Sequence, residues 1–227
     1  MTDIAFDVDV VVCGGGTAGI AAAVCAAREG LSVVLVERSA ICGGMITHVT
    51  SWLNDFANKG GFAKAFYDHL CAEGILTKPY YNPWRVVPYF DDLIAESGVR
   101  VLYLALVVAP LVEQGRLGGV IVESKSGRTA VRREEPGIMG VKAKPYHLPY
   151  GALLPKGLEN LLVAGRCIGG DHEALGSYRI IANCLAMGEA AAIAARMSVR
   201  GRCTPRAVPA PDLVAEMASR GYEQSAP

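Results

Sequence analysis

The sequence has no excess of either charge, since lysine plus arginine and aspartate plus glutamate each number 22 in 227 residues. Without a basic face it has no electrostatic basis for binding nucleic acid, and without a polybasic segment it has none for an anionic membrane surface. Long apolar runs are also missing. The most apolar stretch, Val99 to Val112, is too short for a membrane span and contains Arg100 and Pro110. We therefore expect neither nucleic acid nor a membrane as a partner.

Closely spaced cysteine pairs are absent as well. The seven cysteines are odd in number and none lies at C-x-x-C spacing from another, which argues against a local iron–sulfur or zinc cage and favours reduced thiols. The start of the chain, Met1 to Asp3, is acidic and does not resemble a signal peptide. These features predict a cytoplasmic protein with no metal site.

A valine-rich strand, a helix and a second strand are predicted at the beginning of the chain. Asp9 to Cys13 is a continuous apolar run that stops at three glycines, Ile20 to Glu29 is a helix of small residues ended by Gly30, and Ser32 to Val36 is a second valine-rich run. Because all three fit within thirty residues, we expect parallel strands with a right-handed crossover.

The first strand is followed by the glycine loop, Gly14-Gly15-Gly16-Thr17-Ala18-Gly19. In a G-x-G-x-x-G loop the first glycine permits the tight turn, the second lets a pyrophosphate approach the backbone, and the third allows helix and strand to pack closely. The helix N-terminus then offers free N–H groups to the phosphates. The strand before the loop and the helix after it favour a dinucleotide site over a plain glycine-rich turn.

Glu37 ends the second strand, about twenty residues after the loop. A carboxylate at this place is expected to accept hydrogen bonds from a ribose hydroxyl and to disfavour a 2′-phosphate. FAD or NAD therefore fits better than NADP. The adjacent Arg38 could still pair with a 2′-phosphate, so NADP stays an alternative. The alternative is a solvated charge at the end of a strand.

The rest of the chain predicts an α/β fold: a Rossmann-like parallel sheet flanked by helices, with a small antiparallel β-meander. The predicted elements are a helix over 62–73, an irregular segment over 78–88, a short helix over 89–96, two hairpin strands over 99–112 and 119–123, a charged linker over 124–140, a third buried strand over 160–164, a long alanine-rich helix over 182–198 and a weak helix up to 220.

Three parts of the sequence together resemble the FAD-dependent oxidoreductases of the glutathione-reductase-like fold. They are the glycine loop with Glu37, then Gly43-Gly44, and then a C-terminal block that contains 153-LLPKGLENLLVAGR-166, 171-DHEALGSYR-179 and 184-CLAMGEAAAIAA-195. The resemblance covers about two-thirds of the chain. It implies one FAD-binding domain over 1–227, made of an N-terminal part (1–125), a linker (126–150), a C-terminal strand and helix (151–200) and a tail (201–227).

The resemblance also implies which residues contact FAD. The βαβ unit holds the ADP half, Gly43 and Gly44 line the pyrophosphate, and Val108 on the meander meets the adenine. Gly165 and Arg166 lie beside the ribityl chain, and the last long helix, with Gly188, points its N-terminal end at the flavin.

Family members normally continue from the meander into an Ala-Thr-Gly-Asp strand and a substantial substrate-binding domain. Here only about twenty residues separate the meander from Tyr146. The chain is therefore interpreted as an abbreviated member that lacks most of this domain.

Candidates for catalysis are fewer. His172 could act as a general acid or a substrate ligand, or could order its loop. Arg179 could pair with a carboxylate substrate or with flavin oxygens, or could form a structural ion pair. A redox role for Cys42 is disfavoured because no second cysteine follows it closely. Glu189 is expected to face solvent, and Tyr80, Tyr81, Trp84 and Tyr89 either line a cleft or pack in a loop.

The sequence thus predicts a FAD-dependent oxidoreductase that exchanges hydride or electrons with a small-molecule or partner-protein substrate. The alternative is a non-catalytic FAD-binding subunit that is completed by a partner chain, and a homo-oligomer also remains open.

Overall fold

The computed structural model describes residues 4–49, 52–114, 116–125, 127–132, 147–169, 174 and 178–223. The strands are β1 (Ile4–Asp7), β2 (Val10–Cys13), β3 (Val33–Val36), β4 (Leu76–Thr77), β5 (Tyr80–Tyr81), β6 (Arg100–Leu102), β7 (Ala105–Glu113), β8 (Arg116–Ser124) and β9 (Gly127–Arg132). The α-helices are α1 (Thr17–Arg28), α2 (Met45–His48), α3 (Gly61–Ala72), α4 (Pro83–Ser97), α5 (Ile181–Gly201) and α6 (Ala210–Ser219). Single 3₁₀ turns lie at Tyr150–Leu153 and Pro205–Ala207.

A parallel sheet of order β2-β3-β6 forms the centre of the fold. The two valine-rich runs were predicted as its parallel strands, and this is confirmed. Its third described strand is β6, which uses the first residues of the apolar run that was assigned to the hairpin. The turn at Tyr103–Leu104 divides that run, and the positive φ of Leu104 (54°) marks the break.

The predicted hairpin forms the antiparallel pair β7 and β8, within a second sheet of order β1-β9-β8-β7. β9 lies inside the segment that was interpreted as a linker, so that part of the linker assignment is wrong. Charged residues there suggested a solvated segment, but the backbone of β9 pairs with β8 on one side and with β1 on the other. Residues 133–146, the remainder of the linker and its approach, lie outside the described residues.

Helix α4 begins earlier than expected. The prolines of the 78–88 segment predicted an irregular chain, yet the helix starts at Pro83 and includes Pro88. Proline is tolerated in the first turn, where its missing N–H is not needed. The side chain of Asn82 caps this turn by accepting a hydrogen bond from the N–H of Trp84.

Residues 160–164 do not form the predicted third buried strand. The side chain of Asn160 is held by the backbone of Leu117, accepting from its N–H (3.1 Å) and donating to its carbonyl (2.9 Å). The N–H of Val163 donates to the carbonyl of Leu153. These hydrogen bonds join residues 160–164 to other segments of the chain. The hydrophobic pattern of residues 160–164 cannot predict them.

The long helix α5 packs along α1. The two helices approach so closely at Gly188 that no side chain fits between them there. An added Cβ on Gly188 would lie 2.2 Å from the carbonyl oxygen of Ala18 and 2.9 Å from the Cβ of Ala21. Glu189, the next residue, is buried rather than solvated, so that prediction is wrong. Its carboxylate accepts hydrogen bonds from the N–H of Phe62 and the hydroxyl of Tyr222, and pairs with Arg220.

Within the described part of the chain, no helix combines the length and the apolar character that crossing a bilayer requires. The same residues contain no cluster of three or more side chains suited to hold a metal ion.

Candidate functional site

The glycine loop turns the chain from β2 into α1. Gly14 has a φ of +108°, a conformation that favours glycine, and its N–H donates to the carbonyl of Val36 at the end of β3. The first N–H of α1 with a partner inside the helix belongs to Ile20, which donates to Gly16. The N–H groups of Thr17, Ala18 and Gly19 precede it and, among the described residues, are the open donors of a helix N-terminus.

The glycines of the loop differ in what surrounds them. An added Cβ on Gly16 would meet nothing within 4 Å, whereas one on Gly19 would lie 1.8 Å from the carbonyl oxygen of Gly14. Gly19 therefore allows the helix to pack against the loop, while Gly16 faces open space. This is the division of roles that the motif predicts for a pyrophosphate site.

Glu37 lies behind the loop with only 8% of its surface exposed. Its Oε2 accepts a hydrogen bond from the N–H of Gly15 (2.6 Å), and its Oε1 accepts from the N–H and the Oγ of Ser39 (2.7 Å each). A freely solvated strand-end charge is thus excluded. An ionised carboxylate offers about four lone-pair positions, so three bonds leave it able to accept one more.

The Gly43-Gly44 segment is fixed against the glycine loop. The N–H of Gly43 donates to the carbonyl of Gly15 (2.7 Å), and the Oγ1 of Thr17 donates to the carbonyl of Gly43 (3.2 Å). An added Cβ on Gly44 would lie 3.0 Å from the Cα of Gly16. The structure therefore brings together two glycine segments that are separated by nearly thirty residues in the sequence.

A cavity of about 370 Å³ begins at these glycines and continues along β2. We call the part of its lining formed by Gly14, Gly16, Gly44, Met45 and Arg166 the mouth, and this part combines open backbone with one cationic side chain. The rest of the lining is mostly apolar and comes from β2, α1, α5 and the segment that contains Leu162 and Ala164. The mouth suits an anion, because both the helix N-terminus and the guanidinium attract negative charge.

Thr17, Ala18 and Gly19 also line this cavity. Other predicted cofactor residues lie elsewhere: Arg38 and Val108 are exposed, Gly165 lies against Ala18 and Gly188 separates α1 from α5. Arg179 is exposed just before α5. His172 falls outside the described residues, and the roles of both candidate catalytic residues stay predictions.

Cys42 lies directly beneath the loop, where an added Cβ on Gly15 would come within 2.6 Å of its Sγ. Burial raises the pKa of the Cys42 thiol to about 12 despite a hydrogen bond with Tyr103. The thiol is therefore protonated at neutral pH, and a protonated thiol is a poor nucleophile. This agrees with the prediction against a redox role.

Two polar residues of the site had no role in the sequence argument. Ser39 anchors one oxygen of Glu37, and Thr47 donates through its Oγ1 to the carbonyl of Cys42 (2.6 Å), which holds the turn into α2. The position of Ser39 two residues after Glu37 is a usable signal, because serine commonly bonds a neighbour that close. The sequence offers no comparable signal for Thr47.

Comparison with protein families gives one match over most of the chain. The family described as FAD dependent oxidoreductase matches residues 9–134 and residues 131–217. The two stretches meet where the sequence predicts a missing substrate domain. No curated protein sequence matches the chain.

Solved structures show the same fold at low sequence identity. THI4 of Thermovibrio ammonificans is 12% identical with a TM-score of 0.55, and the match covers 85% of this chain and 90% of that one. A geranylgeranyl bacteriochlorophyll reductase-like protein of Thermoplasma acidophilum is 12% identical with a TM-score of 0.50, covering 93% and 82%. A 3-ketosteroid-delta4-(5alpha)-dehydrogenase of Rhodococcus jostii RHA1 is 18% identical with a TM-score of 0.43, covering 61% and 47%. The chain thus spans less than half the length of that dehydrogenase. The first two structures and the parallel sheet β2-β3-β6 confirm the Rossmann-like α/β fold class.

Proposed function

The chain belongs to the FAD dependent oxidoreductase family, and from this premise we propose that it exchanges hydride or electrons between FAD and a small-molecule or partner-protein substrate. FAD is the cofactor of the family, and when bound it supplies the redox chemistry at its flavin ring. The protein's own residues bind the cofactor, orient it and set the charge around it.

The observation that carries the proposal is the mouth of the cavity. Gly16 has open space where its side chain would be, and the N–H groups of Thr17 to Gly19 begin α1 without helical partners. A pyrophosphate fits there because it accepts hydrogen bonds from those N–H groups and gains from the helix dipole. Arg166, which lines the same mouth, would add a charge-assisted hydrogen bond.

The adenosine half would follow the carboxyl ends of the parallel strands. Glu37 lies there, and its carboxylate keeps capacity for one ribose hydroxyl after bonding Gly15 and Ser39. Val108 on β7 is 40% exposed and would offer apolar surface to the adenine. We propose these two residues as the adenosine contacts.

An exposed aromatic surface favours the second candidate function, a FAD-binding subunit completed by a partner chain. The side chains of Trp52, Tyr80 and Trp84 are 60%, 47% and 73% exposed, and the rings of Trp52 and Tyr80 meet edge to face at 6.1 Å. Large aromatic side chains left in water often mark a protein interface. Tyr81 is buried and Tyr89 stacks on His69, so only part of the aromatic group faces outward.

Anaerobic reduction of the FAD-loaded protein separates the two functions. The protein is mixed with a panel of small hydride donors, including NADH and NADPH, and the visible flavin band is followed. If the isolated chain is an enzyme, one donor bleaches the band faster than it bleaches free FAD. If every donor acts no faster on the protein than on free FAD, the catalytic proposal fails and the subunit reading is favoured.

A further inference from the structure

The side chain of Thr17, the first residue of α1, bonds a distant segment of the chain. Its Oγ1 donates to the carbonyl of Gly43, which lies 26 positions later in the sequence, across 3.2 Å. The residue before it, Gly16, is the N-cap of α1 and has no side chain to bond the N–H groups of the first turn. These N–H groups are therefore left to a ligand, while the hydroxyl of Thr17 acts on the second glycine segment.

Both polar backbone groups of Gly43 are tied to the glycine loop. Its N–H donates to the carbonyl of Gly15 (2.7 Å), and its carbonyl accepts from Thr17 as well as from the N–H of Ile46 in α2. Gly43 and Gly44 have φ values of +109° and +55°, and glycine has the most conformational freedom to lose. Two such glycines in succession keep one conformation only because neighbouring groups hold them.

The ties bring the second glycine segment against the first at the mouth of the cavity. An added Cβ on Gly44 would lie 3.0 Å from the Cα of Gly16, so backbone faces backbone there. Gly16 and Gly44 both line the mouth, and the distance between them sets the space that a pyrophosphate at the open N–H groups can use. The hydrogen bond of Thr17 therefore helps to set the width of the mouth.

The hydroxyl of Thr17 is not itself suited to bind a phosphate. A hydroxyl carries one hydrogen, and in Thr17 this hydrogen is used in the bond to Gly43. The lone pairs that remain on the oxygen repel a phosphate oxygen. The side chain can therefore act on a bound pyrophosphate only through Gly43 and Gly44.

We propose that Thr17 is a positioning residue for the pyrophosphate of FAD: its hydroxyl holds Gly43 and Gly44 where the mouth has the width that the phosphates need. This rests on the proposed placement of FAD at the glycine loop, and it adds a side-chain requirement to a loop whose glycines act through their backbone. A purely structural role is the competing explanation. In that case loss of the hydroxyl would destabilise the fold and leave the surroundings of the bound phosphates unchanged.

Titration of the apoproteins with FAD tests the hydroxyl. Thr17→Val keeps the shape of the side chain and removes the donor, so the dissociation constant should rise about fivefold. Thr17→Ser keeps the donor and should bind FAD within about twofold of wild type. Thr77→Val is the matched control, because Thr77 is exposed on β4 and also donates to a backbone carbonyl, that of Tyr80. The dissociation constant of this control should not change.

Phosphorus NMR of the FAD-saturated proteins separates positioning from stability. The resonances of the bound phosphates should move in Thr17→Val, return in Thr17→Ser and stay in place in Thr77→Val. Circular dichroism checks folding. If Thr17→Val does not fold, Thr17→Ala removes the same hydrogen bond and should show the same loss of affinity and the same change in the phosphorus resonances.

Three results would overturn the proposal. A folded Thr17→Val protein that binds FAD as tightly as wild type would show that the hydroxyl is not needed. Weaker binding with unmoved phosphorus resonances would assign Thr17 a structural role, and failure of Thr17→Ser to restore binding would assign the effect to the methyl group. In all three the wild type still binds FAD, and the proposed FAD site stands. A wild-type protein that does not bind FAD would remove the site itself, and the role of Thr17 with it.

Discussion

The backbone N–H of Gly15 donates to Oε2 of Glu37 across 2.6 Å. This bond links the glycine loop to the end of the neighbouring strand, so the carboxylate shapes the loop as well as facing the place proposed for the ribose. Because Oε1 is held by Ser39 at the same time, the carboxylate has a fixed orientation before any ligand arrives. Such preorganisation reduces the ordering cost of binding.

Replacing Glu37 should therefore weaken FAD binding. Hydrogen bonds to a charged group contribute about 1.5–3 kcal/mol, so Glu37→Ala should raise the dissociation constant roughly ten- to a hundredfold. Titration of the apoprotein with FAD measures this. Glu96→Ala, at an exposed position of α4, is the control and should leave the constant unchanged. An unaltered dissociation constant for Glu37→Ala would show that Glu37 does not bind the ribose.

Gly16→Val should give a folded protein that no longer retains FAD. The new side chain meets no protein atom within 4 Å at its Cβ, so folding is preserved, but it occupies the place proposed for the pyrophosphate. Gly151 is an equally open glycine outside the site, and Gly151→Val should retain FAD. Flavin absorbance after gel filtration compares the two. Retention of FAD by the Gly16 variant would show that the phosphates bind elsewhere.

The sequence predicted the part of the site that depends on local chain geometry. The loop over Gly14 to Gly19 and the carboxylate of Glu37 follow from a strand, a turn and a helix that are adjacent in sequence, and their physical requirements appear directly in residue types. The resemblance implied that Gly43 lies at the pyrophosphate, but its hydrogen bond to Gly15 was not predicted, because the two segments share no periodicity.

Contacts between distant segments account for what the sequence missed. The charged residues near Arg132 led to the prediction of a solvent-exposed linker. The segment instead forms strand β9, because strand pairing uses backbone groups and does not depend on the charge of the side chains. Glu189 resembled a surface residue because its partners, Arg220 and Tyr222, lie about thirty positions later. The apolar run ending at Ala164 was predicted as a strand, but the structure shows no strand there and places Leu162 and Ala164 in the lining of the cavity.

Gly188→Ala should destabilise the fold even though alanine is the better helix former. The added Cβ would lie 2.2 Å from the carbonyl oxygen of Ala18, a backbone atom that moves only if the two helices separate. Overpacking of this kind costs about 1–3 kcal/mol. Thermal unfolding should show a lower midpoint, whereas Gly201→Ala, which meets only the Sγ of Cys203 at 3.4 Å, should not lower it. Equal midpoints would mean that α1 and α5 are less closely packed.

Acid should loosen the attachment of helix α6. Burial tends to raise the pKa of Glu216, but hydrogen bonds and charge interactions from Arg220 and Arg196 outweigh it and hold the pKa below its ordinary value. A carboxyl with a lowered pKa in the folded state contributes stability above its unfolded pKa and loses it as the pH falls through the folded value.

Glu216→Gln should therefore reduce the loss of stability between neutral pH and the region below the ordinary carboxyl pKa. Urea unfolding at a series of pH values measures it for both proteins. Curves of the same shape for wild type and variant would show that these ion pairs contribute nothing to the acid response.

The most direct test of the central claim is the flavin content of the unmodified chain. The purified protein is incubated with excess FAD, passed through a gel-filtration column and examined by absorbance, with circular dichroism recorded on the same sample. The account predicts that FAD elutes with the protein at about one molecule per chain. A correctly folded protein that elutes without FAD would contradict it.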